Sequence, residues 1–222
     1  MTYSHFMNES QTLKAERKIK EKTARRDAIL KAAKDAFFKN GFMETTVEDI
    51  ADSCGLAKGT IYLYFKSKEE IYVSLMTKGL ELLKKEMLKA ASAEYDGDKI
   101  LYQLLAIYYK FYLKNRKYFR IIFLSSHPDV RRRVSGELLK SSVETANDCL
   151  GILNDAIKRG IKSGSFKQTD PWQAANILWA MVNGLIMKYE TDPIYREEIV
   201  GIKLEKILIE SLNLFLDGLR IK

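Results

Sequence analysis

The chain has 222 residues, 46% of them hydrophobic and 30% charged, a balance that suits a globular protein of one large domain or two small ones and excludes a disordered polymer. No run of about eighteen apolar residues is present, which excludes a transmembrane helix, and the N-terminus MTYSHFMNESQ lacks the apolar core of a secretory signal. Cys54 and Cys149 are too few for a disulfide framework and point to a reducing, cytoplasmic compartment, while the formal net charge of +8 places anions, nucleic acid first, among the expected partners.

The elements read as helices in chain order. Residues 1–21 read as a flexible basic leader that either stays loose or continues into the first helix, and in it Lys14, Arg17, Lys18 and Lys20 outweigh Glu16 and Glu21; the basic run continues through Lys22, Arg25 and Arg26. From Lys22 to Asn40 the residues Ile29, Ala33, Ala36 and Phe37 recur at helical spacing, and Asn40-Gly41 is a stop signal. Thr45-Thr46 open the next helix, with Glu48 and Asp49 each three residues after a threonine, the pattern of a capping box. Gly55 ends that helix, and a third starts near Lys58. A fourth begins near Ser67, with Glu69 and Glu70 in its first turn, where negative charge suits the helix dipole.

The remainder is helical almost throughout. Helices are expected over 100–113, 118–124 and 130–159, with breaks at 96–98 and 125–128. Asp170-Pro171 is a helix start, an N-cap residue followed by proline at the first helical position. Thr191-Asp192-Pro193 repeats it, which predicts a last helix from there to about Asp217. No strand-like alternation of useful length appears, so the expected class is all-α.

Residues 46–65, TVEDIADSCGLAKGTIYLYF, read as a helix-turn-helix. Val47, Ile50 and Ala51 face inward from its first helix. Leu56, Ile61 and Phe65 close over them from the second, and Gly55 supplies the turn. Such a unit is a common DNA-reading module. The exposed candidates at the start of the second helix are Lys58, Gly59, Thr60, Tyr62 and Tyr64. Lys58 can reach a guanine edge or a phosphate, Gly59 lets the backbone approach, and Thr60 offers a hydroxyl or a methyl.

The stretch from Ala28 to Leu75 resembles the DNA-binding domain of the TetR family of transcriptional regulators. The resemblance rests on Ile29-Leu30, Ala32-Ala33, Phe37, Asn40-Gly41-Phe42, Thr45-Thr46-Val47, Ile50-Ala51, Gly55-Leu56, Lys58-Gly59-Thr60-Ile61-Tyr62, Tyr64-Phe65, Lys68-Glu69 and Leu75. It implies a helix-turn-helix domain over 22–66 and a helical ligand-binding and dimerisation domain over 67–222. It implies a double-stranded DNA operator bound by a two-fold dimer, with Thr45, Thr46 and Tyr64 as phosphate anchors and Lys66 near the DNA backbone. One position departs from the pattern: Ala57 stands where serine or threonine is frequent, and alanine cannot accept a capping hydrogen bond.

The C-terminal region carries two further signals. Trp172, Ala175, Leu178, Trp179, Val182 and Leu185 recur along one helix, and Ile202, Leu204, Ile207, Leu208, Leu212, Phe215 and Leu219 along the next. The stripe is wider than one intrachain neighbour needs, which predicts a homodimer through the last two helices. The aromatic residues Tyr102, Tyr108, Tyr109, Tyr112, Phe119 and Phe123, with Trp179 as a far wall, are the candidate lining of a pocket for a small hydrophobic effector. A fatty acid or acyl-CoA is favoured, with Arg131–Arg133 as an anion anchor.

The alternatives are a regulator of multidrug export that senses aromatic or cationic compounds, and a non-specific structural DNA-binding protein. No phosphate loop, nucleophile motif or metal-ligand spacing is found, so neither an enzyme, a cofactor nor a metal site is expected, and no membrane partner. His127 lacks a histidine partner at ligand spacing.

Overall fold

The computed structural model describes residues 3–92, 97–123, 130, 133–199 and 203–221. The helices are α1 (Tyr3–Glu44), α2 (Val47–Ser53), α3 (Lys58–Tyr62), α4 (Lys68–Ala91), α5 (Asp98–Lys114), α6 (Arg116–Phe123), α7 (Gly136–Lys162), α8 (Pro171–Thr191) and α9 (Leu204–Leu219), with a π-helical turn at Tyr195–Ile199 before the last. One antiparallel bridge, Phe166 to Arg220, is the β pairing among the described residues. The fold is all-α, and the chain forms two compact units, Met1–Leu75 and Met76–Lys222. The boundary falls inside α4 and not at 66/67, because Ile71, Tyr72 and Leu75 belong to the first unit's core.

In the first unit α2 packs on both α1 and α3. Ile29, Leu30, Ala33 and Phe37 of α1 bury with Ile50 and Ala51 of α2 and Ile61 of α3. Phe37, Phe42 and Tyr72 form an aromatic triangle with centroids 4.9 to 5.6 Å apart. The stop at Asn40-Gly41 takes effect at Gly41, whose φ of 83° and ψ of 165° break the helical run. That backbone region is open only to glycine and lies away from the left-handed helical cap that the sequence suggested.

Of the two readings of the leader, continuation into the first helix is the one the structure takes. Helix α1 starts at Tyr3, so residues 14–21 are helical and exposed. The segment contains neither proline nor glycine, and Arg17 pairs with Glu21 one turn on at 3.0 Å, a spacing that supports a helix. Arg26 is anchored more firmly. Its guanidinium lies 4.8 Å from the centre of the Phe65 ring and donates to Ser74 Oγ at 3.3 Å.

The second unit is a bundle in which α5 packs against α6, α7 and α9, and α8 packs against α7 and α9. The Asp170-Pro171 start is realised: Asp170 Oδ1 accepts from the backbone N–H groups of Trp172 and Gln173 at 2.8 and 3.2 Å. Asp192 likewise accepts from the Tyr195 N–H at 2.9 Å, but the element it opens is the π-helical turn, and α9 begins only at Leu204. The expected helix over 130–159 begins at Gly136, where Ser135 is the N-cap and accepts from the Leu138 N–H. The break expected at 125–128, His127 and Arg131–Arg132 lie outside the described residues.

Two close approaches fix this bundle. Helix α6 lies against Gly79 of α4, where an added Cβ would stand 2.9 to 3.1 Å from Ile122 and Tyr118. Phe166 is 1% exposed and covers Gly160 of α7 so closely that a Cβ there would fall 2.2 Å from its ring. The same loop is tied to the end of α9, because the Lys167 N–H donates to the Leu219 carbonyl at 2.8 Å. Arg220 then reaches Asp98 at the start of α5 at 2.5 Å. Replacing Gly160 with alanine forces Phe166 out of its seat. The expected loss is about 1–3 kcal/mol of unfolding free energy, read in urea unfolding of the purified protein; an unchanged midpoint would contradict the contact.

Candidate nucleic-acid interface and effector cavity

Helix α3 is five residues long and buries Ile61 alone. Phe65, just beyond it, is 2% exposed. With those two turned inward, the intervening positions turn out. Tyr62 is 49% exposed and Leu63 78%; Lys58 and Lys66 are exposed, and Thr60 and Tyr64 half-buried. A Cβ on Gly59 would meet no atom within 4 Å, so the backbone there is open to approach. Lys58, Gly59, Tyr62, Leu63 and Lys66 are thus open to solvent on the outer surface of α3 and the turn after it, with Thr60 and Tyr64 partly so. Leu63 was not singled out, although its place between Ile61 and Phe65 already puts it on the outer side.

Helix α2 presents this surface. Thr46 is its N-cap: its hydroxyl accepts from the Asp49 N–H at 3.1 Å, and the Asp49 carboxylate accepts from the Thr46 N–H at 2.8 Å. The box uses Asp49, and not Glu48, as its acidic partner. The Thr46 hydroxyl also donates to the Asp49 carboxylate at 2.7 Å, and that bond, then the one from the Thr46 N–H, holds the Asp49 carboxyl below the usual carboxylate range. Glu48 instead turns to Lys58, with Nζ to Oε2 at 3.0 Å. That hydrogen bond and charge raise the Lys58 ammonium above its ordinary value. Ala57 caps α3 without any side-chain hydrogen bond.

Thr45 requires a correction. It is 0% exposed, and its hydroxyl donates to the Gly41 carbonyl at 2.7 Å. The side chain closes the turn between α1 and α2 and does not stand on the outward surface with Thr46. Lys68 holds the same turn from the other side, and sequence reading missed this role. Its ammonium donates to the carbonyls of Phe42, Met43 and Thr45 at 2.7, 3.1 and 2.7 Å and lies 4.6 Å from the Phe42 ring centre. A cation beside the free carbonyls at a helix end is favourable. The position of Lys68 in the first turn of α4 gave no hint of a contact with the end of α1. Cys54 donates to the Ile50 carbonyl at 3.1 Å, and burial pushes its thiol up, which makes it a poor nucleophile at neutral pH.

The aromatic residues of the second unit divide into three environments. Tyr108 and Trp179 line an interior cavity of about 30 Å³ with Met87, Leu104, Leu153 and Leu178. Tyr102 and Tyr109 line a separate recess between α5 and α9. Tyr112, Phe119 and Phe123 line neither. They pack with Tyr108 and Trp179 as rings with centroids 4.8 to 6.4 Å apart, and Phe119 is fully buried. These two linings bring Tyr108 together with Trp179, and Tyr102 with Tyr109, but neither gathers all seven.

The physical reason lies in the hydroxyl tips. Tyr102 donates to Asn213 of α9, Tyr108 to Asn183 of α8, and Tyr112 to Glu190 of α8. Arg116 reaches the same Glu190 oxygen at 2.6 Å. Buried phenols need partners, and helices α8 and α9 supply them. Burial pushes the Tyr108 phenol well above its ordinary range. Burial, and then the Glu190 carboxylate, do the same at Tyr112. Burial also raises the Cys149 thiol to about 12, so neither cysteine is poised for thiolate chemistry.

The expected dimer stripe is also divided. Ala175, Leu178, Val182, Leu204, Leu208, Leu212 and Leu219 are buried within the chain itself. Of the stripe, Trp172 faces outward, Trp179, Leu185, Ile207 and Phe215 are half-buried, and Ile202 lies outside the described residues. Outside the stripe, Ile177 on α8, Ile209 and Leu214 on α9, and Ile221 just past its end are exposed. Ala180 and Gly184 are exposed beside Ile177, and Gly218 beside Leu214. Among the described residues no helix is long and apolar enough to cross a membrane, and no cluster of His, Cys, Asp or Glu is placed to hold a metal ion.

Residues 29–75 match the model of the bacterial regulatory proteins of the tetR family. Over 191 residues, 85% of this chain and 97% of the other, the sequence is 26% identical to the uncharacterized HTH-type transcriptional regulator YhgD of Bacillus subtilis. It is 29% identical over 157 residues, 68% of this chain and 75% of the other, to the fatty acid metabolism regulator protein of the same organism. The crystal structure of the transcriptional regulator FadR from Bacillus subtilis in complex with stearoyl-CoA superposes with a TM-score of 0.70 at 23% identity, covering 86% of this chain and 97% of that one.

Proposed function

The chain belongs to the tetR family of bacterial regulatory proteins, helix-turn-helix regulators of transcription that bind DNA, and from that premise we propose that it is a repressor whose operator binding is controlled by a long-chain fatty acid or its coenzyme A thioester. The observation that carries the effector class is the interior cavity. Its walls are aliphatic apart from Tyr108 and Trp179, and the Tyr108 hydroxyl is already engaged by Asn183. A lining without a charged side chain favours an alkyl chain over a charged ring system. The fatty acid metabolism regulator among the relatives supports the same class.

In the present form the cavity holds little more than a water molecule. Admission of an alkyl chain therefore displaces side chains, and the flexible thioether of Met87 is the one most easily moved. Met87 lies on α4, the helix that also contributes Ile71 and Leu75 to the DNA-binding unit. A displacement of α4 couples ligand binding to operator affinity, since an effector acts by binding two states unequally.

On DNA, α3 enters the major groove. Lys58, Thr60 and Tyr62 face base edges, Gly59 admits the backbone, and Thr46, Tyr64 and Lys66 reach phosphates. Leu63 adds an apolar surface suited to a thymine methyl. Use of Lys58 requires release from Glu48, an exposed pair of small net worth. The exposed basic stretch of α1 adds phosphate contacts without base preference. Lys58→Ala is expected to relax the preference at one base pair by about 1–3 kcal/mol. Deleting residues 1–20 is expected to lower the slope of log affinity against log salt by roughly one unit per lost phosphate contact. An unchanged slope would make this stretch a solvated extension.

We assign the homodimer contact to the outward strip of α8 and α9. Ile177, Ala180 and Gly184 recur on one face of α8, as Leu214, Gly218 and Ile221 do at the end of α9. Small residues among apolar ones let two helices approach closely. Leu214 is 75% exposed, whereas Leu212 is buried in its own chain, so a charge introduced at Leu214 probes the contact without disturbing the core. The double variant Ile177→Glu, Leu214→Glu is expected to sediment as a folded monomer, and a dimer at micromolar concentration would move the interface elsewhere.

The effector class is tested by adding oleoyl-CoA, oleate and aromatic cations to a preformed operator complex of the Trp172→Phe variant, which leaves Trp179 as the single tryptophan, while following its fluorescence. Release of DNA by the acyl compounds, with a fluorescence change, is the expected result. Release by the cations alone, with acyl compounds inert, would replace this reading with the drug-sensing one.

A further inference from the structure

The recess between α5 and the first half of α9 has a volume of about 270 Å³. Tyr102, Tyr109, Leu105, Leu208, Ile209 and Glu205 are among its lining. Leu105 and Leu208 are buried and form the floor, and Ile209 stands exposed at the rim. Apart from Leu105, which lines both, these residues do not line the interior cavity.

Both rings are held in place. The Tyr102 hydroxyl donates to Asn213. Tyr109 stacks on Tyr112 with centroids 6.1 Å apart and ring planes 29° from parallel, and Tyr112 is itself tied to Glu190. Glu205, in the first turn of α9, is close enough to the Tyr109 phenol to help raise it, after burial and together with Tyr189. Among the described residues no lysine or arginine pairs with Glu205; its neighbour Lys206 faces Glu210 one turn on at 3.9 Å. On a protein of net charge +8, an open carboxylate beside two fixed phenol rings is a local inversion of sign. At 100° per residue, Glu205 and Ile209 lie on the side of α9 opposite Leu214 and Gly218, so the proposed dimer contact leaves the recess open.

We propose that this recess is a binding site for a small quaternary ammonium compound. Aromatic faces attract an alkylated cation through their quadrupole, the Glu205 carboxylate neutralises its charge, and Leu105, Leu208 and Ile209 cover its methyl groups. Gln103, also in the lining, and Glu205 can each accept an N–H, but Leu105, Leu208, Ile209 and the ring faces offer methyl contacts and leave most of the three donors of a primary ammonium unmet, whereas a fully alkylated nitrogen carries none. The volume suits a compact headgroup and not an extended chain. The site is independent of the effector cavity, and neither its occupant nor its test depends on fatty-acid binding.

Choline and its uncharged isostere 3,3-dimethylbutan-1-ol are the probes, titrated into the full-length protein while the tyrosine ring resonances are followed by NMR. Saturable shifts at Tyr102 and Tyr109 with choline are expected, with the isostere at least about tenfold weaker. Glu205→Gln, at an exposed position, is expected to leave thermal unfolding unchanged and weaken choline by about tenfold, and Tyr109→Leu to weaken it similarly. Equal binding of the isostere, unchanged choline affinity in Glu205→Gln, or the absence of saturable shifts would each overturn the site.

Discussion

A helix of five residues cannot persist alone in water, since it fixes several dihedral angles for very few internal hydrogen bonds. Helix α3 therefore depends on the burial of Ile61 and Phe65 against the first unit, and the rest of the proposed DNA-binding surface depends on α3. That burial decides which residues face out: with Ile61 and Phe65 held inside, Lys58, Tyr62 and Leu63 have nowhere else to go. Three contacts keep the seat in register. Thr45 and Lys68 lock the carbonyls at the end of α1, and Arg26 lies against the far side of Phe65. None of them touches the outward surface, yet each fixes the angle at which it is presented.

In the second unit the corresponding constraint is the pairing of phenol hydroxyls. Three tyrosines of α5 each reach a polar side chain on α8 or α9, so that one helix is tied to both of the helices assigned to the dimer contact. A ligand that moves α5 has to break or carry along these bonds. This links an apolar cavity to the helices around it without any charged group inside the cavity, and it explains why so many aromatic hydroxyls are tolerated in a helical core.

The sequence was legible wherever a local rule decides the outcome. The Thr46–Asp49 box, the Asp170-Pro171 start, the break at Gly41 and the inward set Ile50, Ala51, Ile61 and Phe65 all follow from spacing and residue type. It was illegible where the answer depends on which remote element arrives. Thr45 and Thr46 are adjacent and chemically identical, and only the turn back to Gly41 separates a buried hydroxyl from an exposed one. Leu212 and Leu214 carry the same side chain, and only the packing of α9 on the bundle separates core from outer face. The tyrosine tips looked like pocket lining because Asn183, Glu190 and Asn213 lie between 75 and 111 residues away in the chain.

The central claim is that α3 reads DNA as one half of a two-fold pair. Hydroxyl-radical footprinting on DNA selected by the protein from a random pool tests it most directly. The account predicts two protected patches on one face of the duplex, centred about 34 Å apart over a near-palindromic sequence, with protection lost in Tyr64→Phe combined with Lys58→Ala. Selection of no shared sequence, or uniform protection that the double variant leaves intact, would contradict it.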